Sequence, residues 1–292
     1  MKRAALVLAT ILAGPAWLAA QTAVDQKRPA APDAKVSIEN LAGSTKVTGW
    51  ERPEVQVKGT VCPECELDLS GTDKQVDIEI ESDHVNPMAG KSDIEVFVPA
   101  GSSVSIEGFQ ATISVAGVTG SVSAETVNGS ITQAGAAKGV ELESVNGAIE
   151  VTKATGRVHA EAVNGTVTVR DASGELEAST VNGKVLVTGG SFDRATLGSV
   201  SGGVRFEAGL SAKATLSVES VSGTVDLFLP AGLGAEFKVS TFSGDIVNEL
   251  GPAAEKTSQW TPGKELSFTS GAGGVRITVE TLSGTVNIRK KQ

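Results

Sequence analysis

The stretch Glu161–Val169, EAVNGTVTV, decides the fold, because it sets Asn-Gly between two runs of alternating apolar residues. Asn-Gly in this setting usually indicates a two-residue β-hairpin turn. Close copies occur along the chain: ETVNGSI at 125–131, ESVNGAIEV at 143–151 and STVNGKVLV at 179–187. These copies mark either successive hairpins or one corner repeated in successive turns of a coil.

The spacing of the glycines favours the coil. Ser replaces Asn in the later copies, and Ser is a poorer residue for a primed turn, whereas near-constant spacing is typical of stacked rungs. We therefore predict an all-β fold, a single-stranded β-solenoid with rungs of about 18–21 residues. An antiparallel hairpin meander is the alternative. The predicted corner residues are Asn128, Gly129, Asn146, Gly147, Asn164, Gly165, Asn182, Gly183, Gly202, Gly223, Gly244 and Gly284.

In a coil the corner residues of neighbouring rungs lie above one another. Asn164 should then bond Asn146 and Asn182 through side-chain amides, and Gly165 is expected to be selected for its small volume. The alternation further predicts that Val163 points inward like Val167, with the chain bending between Ala162 and Val163. In a meander, by contrast, Asn164 would lie at an exposed hairpin tip.

The N-terminus has the pattern of a secretory signal. Lys2 and Arg3 precede a short apolar run, Ala4–Ala13, and small residues follow. We predict a signal peptide at 1–20 and an exported mature protein, periplasmic or secreted and associated with the cell envelope. The further predicted parts are a flexible leader at 21–35, a solenoid at 36–289 (irregular at 36–105, regular rungs at 106–289, an excursion near 248–274), and end caps at 36–60 and 275–289.

The composition narrows the range of partners. Removing residues 1–20, which hold two basic and no acidic residues, changes the net charge from −9 to −11. An acidic surface argues against nucleic acid and anionic membranes as partners, and no stable membrane insertion is expected after signal cleavage. With no Tyr, 8 Phe and 3 Trp, the chain is poor in the aromatic platforms that sugar-processing clefts use.

Cys62 and Cys65 form the C-x-x-C of VCPECEL. A structural disulfide is the first interpretation, because exported proteins meet an oxidising environment; a redox pair, a metal site and two free thiols are the alternatives. His84 is expected in a solvated loop and His159 on the outer side of a strand. We predict no catalytic residue, no metal site and no cofactor, since no motif for them occurs.

Acidic residues recur at a similar phase of the repeats: Glu125, Glu143, Glu161 and Glu177. They are expected to line one outer face of the coil as a solubilising row. Catalysis would need two carboxylates at a defined separation in a cleft.

The order of the motifs resembles the bacterial DUF4097 family, whose members are also labelled "putative adhesin". The resemblance rests on SIENLAGSTKVTGWERPEVQVKG at 37–59, DIEVFVPAG at 93–101, the serial V-[NS]-G-x-[VI] units and ITVETLSGTVNI at 277–288. It implies a β-helix-like fold and no known reaction. The predicted function is a non-enzymatic, structural or adhesin-like protein that presents an extended acidic surface to a protein or an envelope polysaccharide. A carbohydrate-active enzyme, a polysaccharide lyase or hydrolase on a β-helix, is the alternative.

Overall fold

The protein is described by a computed structural model that covers residues 21–82, 90–258, 260 and 262–291. Regular structure in these residues is entirely β, with 25 strands in one continuous sheet. None of the described segments forms a helix that is long and apolar enough to cross a membrane. The predicted signal peptide and His84 lie outside the described residues.

The strands fall into three groups along the chain. The N-terminal group is β1 (Thr22–Pro29), β2 (Lys35–Glu39), β3 (Ala42–Trp50), β4 (Glu54–Val61), β5 (Cys65–Gly71), β6 (Gln75–Ser82) and β7 (Ser92–Pro99). The central group is β8 (Ser103–Gly108), β9 (Gln110–Ala116), β10 (Ser121–Thr126), β11 (Ile131–Ala134), β12 (Gly139–Ser144), β13 (Ile149–Thr152), β14 (Thr155–Ala162), β15 (Val167–Arg170), β16 (Ser173–Thr180), β17 (Val185–Ser201), β18 (Val204–Ser222) and β19 (Val225–Leu229). The C-terminal group is β20 (Ala235–Ser243), β21 (Ile246–Asn248), β22 (Glu255–Lys256), β23 (Lys264–Ser270), β24 (Val275–Ser283) and β25 (Val286–Lys290).

Each central rung contributes one strand to each of two faces, joined at a corner that is Asn-Gly or Ser-Gly in the regular repeats and Phe109 between β8 and β9. On the first face β10 pairs in parallel with β8 and β12, and on the second face β11 pairs in parallel with β9 and β13. The long strands β17 and β18 serve both faces. The predicted β-solenoid is confirmed. The hairpin meander is wrong, because like strands of successive rungs pair in parallel.

The core is filled by the inward-facing residues of both faces. Val158, Ala160 and Ala162 on one face, and Val167 and Val169 on the other, are fully buried. In-register pairing places each of these positions over its counterpart in the neighbouring rung, so rows of apolar side chains run along the coil. Burial of these rows is the main stabilising contribution to the fold.

The prediction that Val163 points inward is wrong. Val163 is half-buried and lies on the outside of the corner. The chain turns over Val163–Thr166, and the Val163 N–H donates to the Ser144 carbonyl at 3.0 Å. This bond keeps the turning backbone against the preceding rung and directs the Val163 side chain outward.

The predicted amide ladder is present at this corner. The Asn164 Nδ2 donates to Asn146 Oδ1 at 2.9 Å, and the Asn182 Nδ2 donates to Asn164 Oδ1 at 2.9 Å. Gly165 lies so close to the preceding rung that a Cβ atom there would overlap the Gly147 carbonyl oxygen. Close backbone contact between rungs, rather than an inward position, therefore requires glycine at this corner.

A column of buried hydroxyl groups lies just inside the corner. The Ser144 Oγ donates to the Gly129 carbonyl at 3.1 Å, and the Thr180 Oγ1 donates to the Gly165 carbonyl at 2.9 Å. Ser220 has the same position in a later rung, yet its buried hydroxyl has no hydrogen-bond partner among the described residues. The same residue type is thus bonded in one rung and unbonded in another.

Ser144→Ala and Ser220→Ala should differ in stability for this reason. Ser144→Ala removes a bonded donor and leaves the Gly129 carbonyl without it, so we expect a loss of about 1 kcal/mol in the free energy of unfolding. Ser220→Ala removes a buried polar group that lacks a partner, so we expect no loss or a small gain. Urea denaturation of the two variants measures the difference. An equal loss in both would contradict the assigned bonding.

The N-terminal end differs from the prediction in two respects. The expected flexible leader, 21–35, contains β1, which pairs antiparallel with β4 over its whole length, and Ala30 and Ala34 are buried. The expected cap, 36–60, is not the end of the coil. The rung β2/β3 lies between the rung β6/β7 and the rung β8/β9, because β6 and β7 return to its outer side. Antiparallel strands β5, β4 and β1 then close this end.

The C-terminal end repeats this arrangement. After β18 and β19 the chain leaves one rung position open, forms β20 and β21, and closes the end with the antiparallel strands β23 and β22. It then returns, and β24/β25 fills the open position between β18/β19 and β20/β21. The expected cap at 275–289 is therefore an internal rung, and residues 248–274 contain the actual cap.

Candidate functional site

A row of exposed apolar residues follows the corner from the rung β2/β3 to the rung β20/β21. Each rung in this range contributes the residue directly before the corner Asn or Ser, or its equivalent. Val127 and Val163 are half-buried and the others are 37–63% exposed. We call this row the apolar ridge; in rung order it consists of Leu41, Phe109, Val127, Val145, Val163, Val181, Val200, Val221, Leu282 and Phe242.

Parallel in-register pairing makes the ridge continuous. Thr180 pairs with Ser199, and Ser199 with Ser220, so Val181, Val200 and Val221 lie one above the other. With rungs about 4.8 Å apart, the ridge is about 43 Å long. Single exposed apolar residues are ordinary on a protein surface, but a contiguous apolar row is typical of an interaction site.

A row of carboxylates runs parallel to the ridge, two residues earlier in each strand. Because alternate residues point the same way, both rows face outward, while the residue between them faces the core. We call this second row the carboxylate column. In rung order it contains Glu79, Glu39, Glu107, Glu125, Glu143 and Glu161; Ser179 and Gly198 interrupt it, and Glu219 and Glu280 resume it.

Stacking like charges one rung apart is unfavourable. Partial desolvation of the Glu125 carboxyl, and then the carboxylates of Glu143, Glu107 and Glu141, raise the pKa of Glu125 above its ordinary value of 4.5. Within the described residues, no ion pair with Lys or Arg relieves Glu107, Glu125 or Glu143. The column therefore carries a concentrated negative charge along one side of the ridge.

Glu125→Gln should stabilise the protein at neutral pH and not in acid. The folded state holds the Glu125 proton at pH values where the unfolded chain has released it, so stability falls as the pH rises from about 4.5 through the raised pKa. We expect the variant to have a higher Tm than the wild type at pH 7, with the difference vanishing toward pH 4. Glu51→Gln, an exposed residue outside the column, controls for net charge. A Tm gain that persists unchanged at pH 4 would contradict the repulsion.

A groove of about 900 Å³ lies between the two rows at the C-terminal end of the solenoid. Val200, Val221, Leu282 and Phe242 of the ridge contribute to its lining, together with residues of the column around the Ser179–Gly198 interruption. Thr257 and Gly263 also contribute to its lining, and the Thr257 N–H donates to the Gly263 carbonyl at 3.1 Å. The groove thus offers an apolar wall and a wall that carries the carboxylates of Glu161, Glu219 and Glu280.

A second depression, of about 730 Å³, lies on the first face of the N-terminal half. We call it the serine trough, because Ser37, Ser105 and Ser123 stack along its lining. Longer charged side chains also line it, including His159, whose Nδ1 is 3.5 Å from Glu177 Oε2. None of the described residues that line the trough is Phe, Trp or Tyr.

The other candidate residues are placed as follows. A disulfide links Cys62 and Cys65 at the turn between β4 and β5. His159 is half-exposed on the outer side of β14, where the sequence placed it. Within the described residues, no group of three or more His, Cys, Asp or Glu side chains could hold a metal ion.

Glu177 does not belong with the other predicted acidic residues. It pairs with His159, whereas Glu161 pairs with Ser179, so Glu177 lies in the neighbouring outer row. Glu177 is two residues further from its corner glycine, Gly183, than Glu161 is from Gly165. Counting back from the glycine would have separated the two rows.

The sequence pattern does not predict the ridge, because its alternation assigns Val163 and its counterparts to the core. The signal was present: that position is apolar in every copy, while the inward row ends one residue earlier at Ser144, Ala162 or Thr180. An apolar residue that breaks the alternation at a corner indicates an exposed position.

The fold and this surface define a class: a single-stranded β-solenoid with interlocked ends and a repeated apolar corner. A family model described as "Toastrack DUF4097" matches residues 63–289, and the chain belongs to that family. Among curated protein sequences none matches this chain.

Three solved structures are similar to the chain at low identity. They are a "putative adhesin" from Parabacteroides distasonis (7% identity, TM-score 0.44, covering 91% of this chain and 97% of that chain), a "putative lipid binding protein" from the same species (12%, 0.41, 91% and 96%), and a "putative adhesin" from Bacteroides fragilis (14%, 0.36, 92% and 98%).

Proposed function

We propose that this protein is a non-enzymatic, exported protein of the cell envelope, and that its solenoid serves as an adhesin-like or structural binding scaffold. The apolar ridge is the observation that carries the proposal. Exposing an uninterrupted apolar row to water is unfavourable, and these side chains do not pack in the core. Binding of a partner at the surface therefore accounts for the row better than a role in folding. The signal-like residues 1–20 support export.

The regular construction of the surface also favours binding over catalysis. Stacked rungs repeat one unit and produce a long, even face, which suits an extended partner. A catalytic site, in contrast, requires unlike groups brought together at one place, with a cleft that excludes water.

The alternative function, a carbohydrate-active enzyme, would use the serine trough, where charged residues surround short hydroxyl side chains. Glu141 and Glu177 flank His159 there in one outer row, two rungs apart. The trough lacks aromatic rings for sugar stacking and is shallow and open. It therefore fits a glycosidase poorly, and an envelope polysaccharide could at most lie in it as a ligand.

The test compares the mature chain, residues 21–292, with a ridge variant, Val145→Thr/Val181→Thr/Val200→Thr. Thr keeps the shape and β propensity of Val but adds a hydroxyl, so the fold should survive while the apolar row is interrupted. Val247→Thr, at an exposed valine on the other face, is the matched control. The wild type, the ridge variant and the control are each immobilised and exposed to envelope proteins and to purified envelope polysaccharides.

We expect the wild type and the Val247→Thr control to retain the same partner and the ridge variant to lose it. Retention of every partner by the ridge variant would refute the ridge as the binding surface. Shortening of any polysaccharide during incubation, abolished by Glu141→Gln or Glu177→Gln, would refute the non-enzymatic function.

A further inference from the structure

We infer that the occupant of the apolar ridge is a cationic amphipathic helix, with an apolar stripe that covers the ridge and a Lys/Arg stripe that lies over the carboxylate column. This inference rests on the proposed function and names the chemistry of its partner. Four features of the surface support it: the charge beside the ridge, the bonded backbone at the corner, the length of the two rows, and the groove at one end.

The negative charge of the carboxylate column favours a basic partner. Glu107, Glu125 and Glu143 form successive members of the column and lack Lys or Arg partners among the described residues. A row of cationic side chains would relieve this repulsion, whereas anionic lipid headgroups or nucleic acid would increase it. A membrane with an anionic surface is therefore disfavoured, although the ridge is apolar enough to contact lipid.

The backbone at the corner excludes addition of a β-strand. The Val163 N–H donates to the Ser144 carbonyl, and the Val163 carbonyl accepts from the Asn182 N–H at 2.7 Å. Corner backbone groups are thus bonded between rungs, so an incoming strand finds no free donors and acceptors along the ridge. Recognition must use side chains, which is the way an amphipathic helix binds a groove.

The dimensions suit one helix lying along the coil axis. A helix that covers the ridge of about 43 Å needs about 29 residues at 1.5 Å per residue. Its apolar stripe and a neighbouring basic stripe would lie over two rows that are two residues apart in each strand, about 6.6 Å. Ridge and column match these two stripes in both direction and spacing.

The C-terminal groove provides the expected anchor. There the exposed fraction of the ridge is greatest, 54% at Leu282 and 63% at Phe242, and Glu280 supplies a carboxylate on the other wall. Large apolar side chains of the helix can enter this groove and exclude water from its charged contacts, which strengthens them. Docking should therefore depend most on Leu282 and Phe242.

The experiment uses three synthetic 29-residue peptides as probes: an amphipathic Leu/Lys helix, a Leu/Lys peptide of the same composition in scrambled order, and an amphipathic Leu/Glu helix. Binding to residues 21–292 is measured by fluorescence anisotropy at low and high salt. The protein variants are the ridge variant, Leu282→Thr/Phe242→Thr, Glu125→Gln/Glu143→Gln/Glu161→Gln and the Val247→Thr control, each checked for wild-type circular dichroism.

We expect the amphipathic Leu/Lys helix to bind at least about tenfold more tightly than the other two peptides. The ridge variant and Leu282→Thr/Phe242→Thr should each weaken it by about tenfold or more, and Val247→Thr should not. The triple Gln variant should weaken it mainly at low salt, because screening already removes the charge contribution at high salt.

Other outcomes would overturn the inference. Equal binding of the scrambled peptide, or unchanged binding by the ridge variant, would show attraction by charge alone. Ridge-dependent binding to phosphatidylglycerol vesicles in preference to the peptide would identify a lipid surface as the occupant. A dimer in sedimentation velocity that dissociates in the ridge variant would identify a second copy. In the last two cases the proposed function, binding through the ridge, would stand while the helical partner would be rejected.

Discussion

Gly165→Ala should destabilise the protein by about 3 kcal/mol or more, a large effect for the addition of one methyl group. The new Cβ would overlap the Gly147 carbonyl oxygen, which is backbone and cannot rotate away. Relief requires the two rungs to separate locally. That separation would stretch the two hydrogen bonds that join these rungs at the corner, from the Asn164 side chain to Asn146 Oδ1 and from the Asn164 N–H to the Val145 carbonyl.

Gly139→Ala is the matched control for this prediction. Gly139 also lies in a rung, but the nearest atom that its Cβ would meet is the Ser121 Oγ at 3.7 Å, an ordinary contact. We expect its stability to stay within about 1 kcal/mol of the wild type, with a gain if the reduced freedom of the unfolded chain dominates. Urea denaturation measures both variants. Similar stabilities for Gly165→Ala and Gly139→Ala would contradict the tight corner.

A chain that ends at Gly274 should lose the whole C-terminal end of the solenoid. The deletion removes β24 and β25, which lie between β18/β19 and β20/β21. The strands β20 and β21 pair with the rest of the coil through this rung, so they and the cap β23 lose their attachment. We expect Tm to fall by about 10 °C or more.

Hydrogen exchange separates this outcome from simple loss of a last rung. The backbone amides of β20 should lose their protection in the shortened chain, and the newly exposed edges of β18 and β19 should promote association. A chain that ends at Lys290 keeps the internal rung and should behave as the wild type. Full protection of the β20 amides from hydrogen exchange in the chain ending at Gly274 would show that β20 does not depend on the internal rung β24/β25.

Much of the regular part could be predicted from the sequence, because a solenoid rung depends on its own residues and on near copies of them. Intervals of about 18 residues between Asn-Gly pairs indicate stacked rungs, and stacked rungs bring Asn146, Asn164 and Asn182 into contact. The ends could not be predicted in this way. The rung β24/β25 carries the same motif as its neighbours. Its sequence therefore does not indicate that this rung lies inside β20/β21 rather than beyond it.

The features of the candidate surface likewise fall into two groups, those that the sequence predicts and those that it does not. The sequence alone determined the repeat length, the glycine corner, the amide ladder and the acidic character, because each follows from local pattern and stacking. Only the tertiary structure decided that Val163 and its counterparts face water, that the carboxylates form a column beside them, and that both chain ends interlock. The physical reason is that a corner can turn a side chain inward or outward with little change in local preference. The choice is made by hydrogen bonds to the neighbouring rung, such as that from Val163 to Ser144.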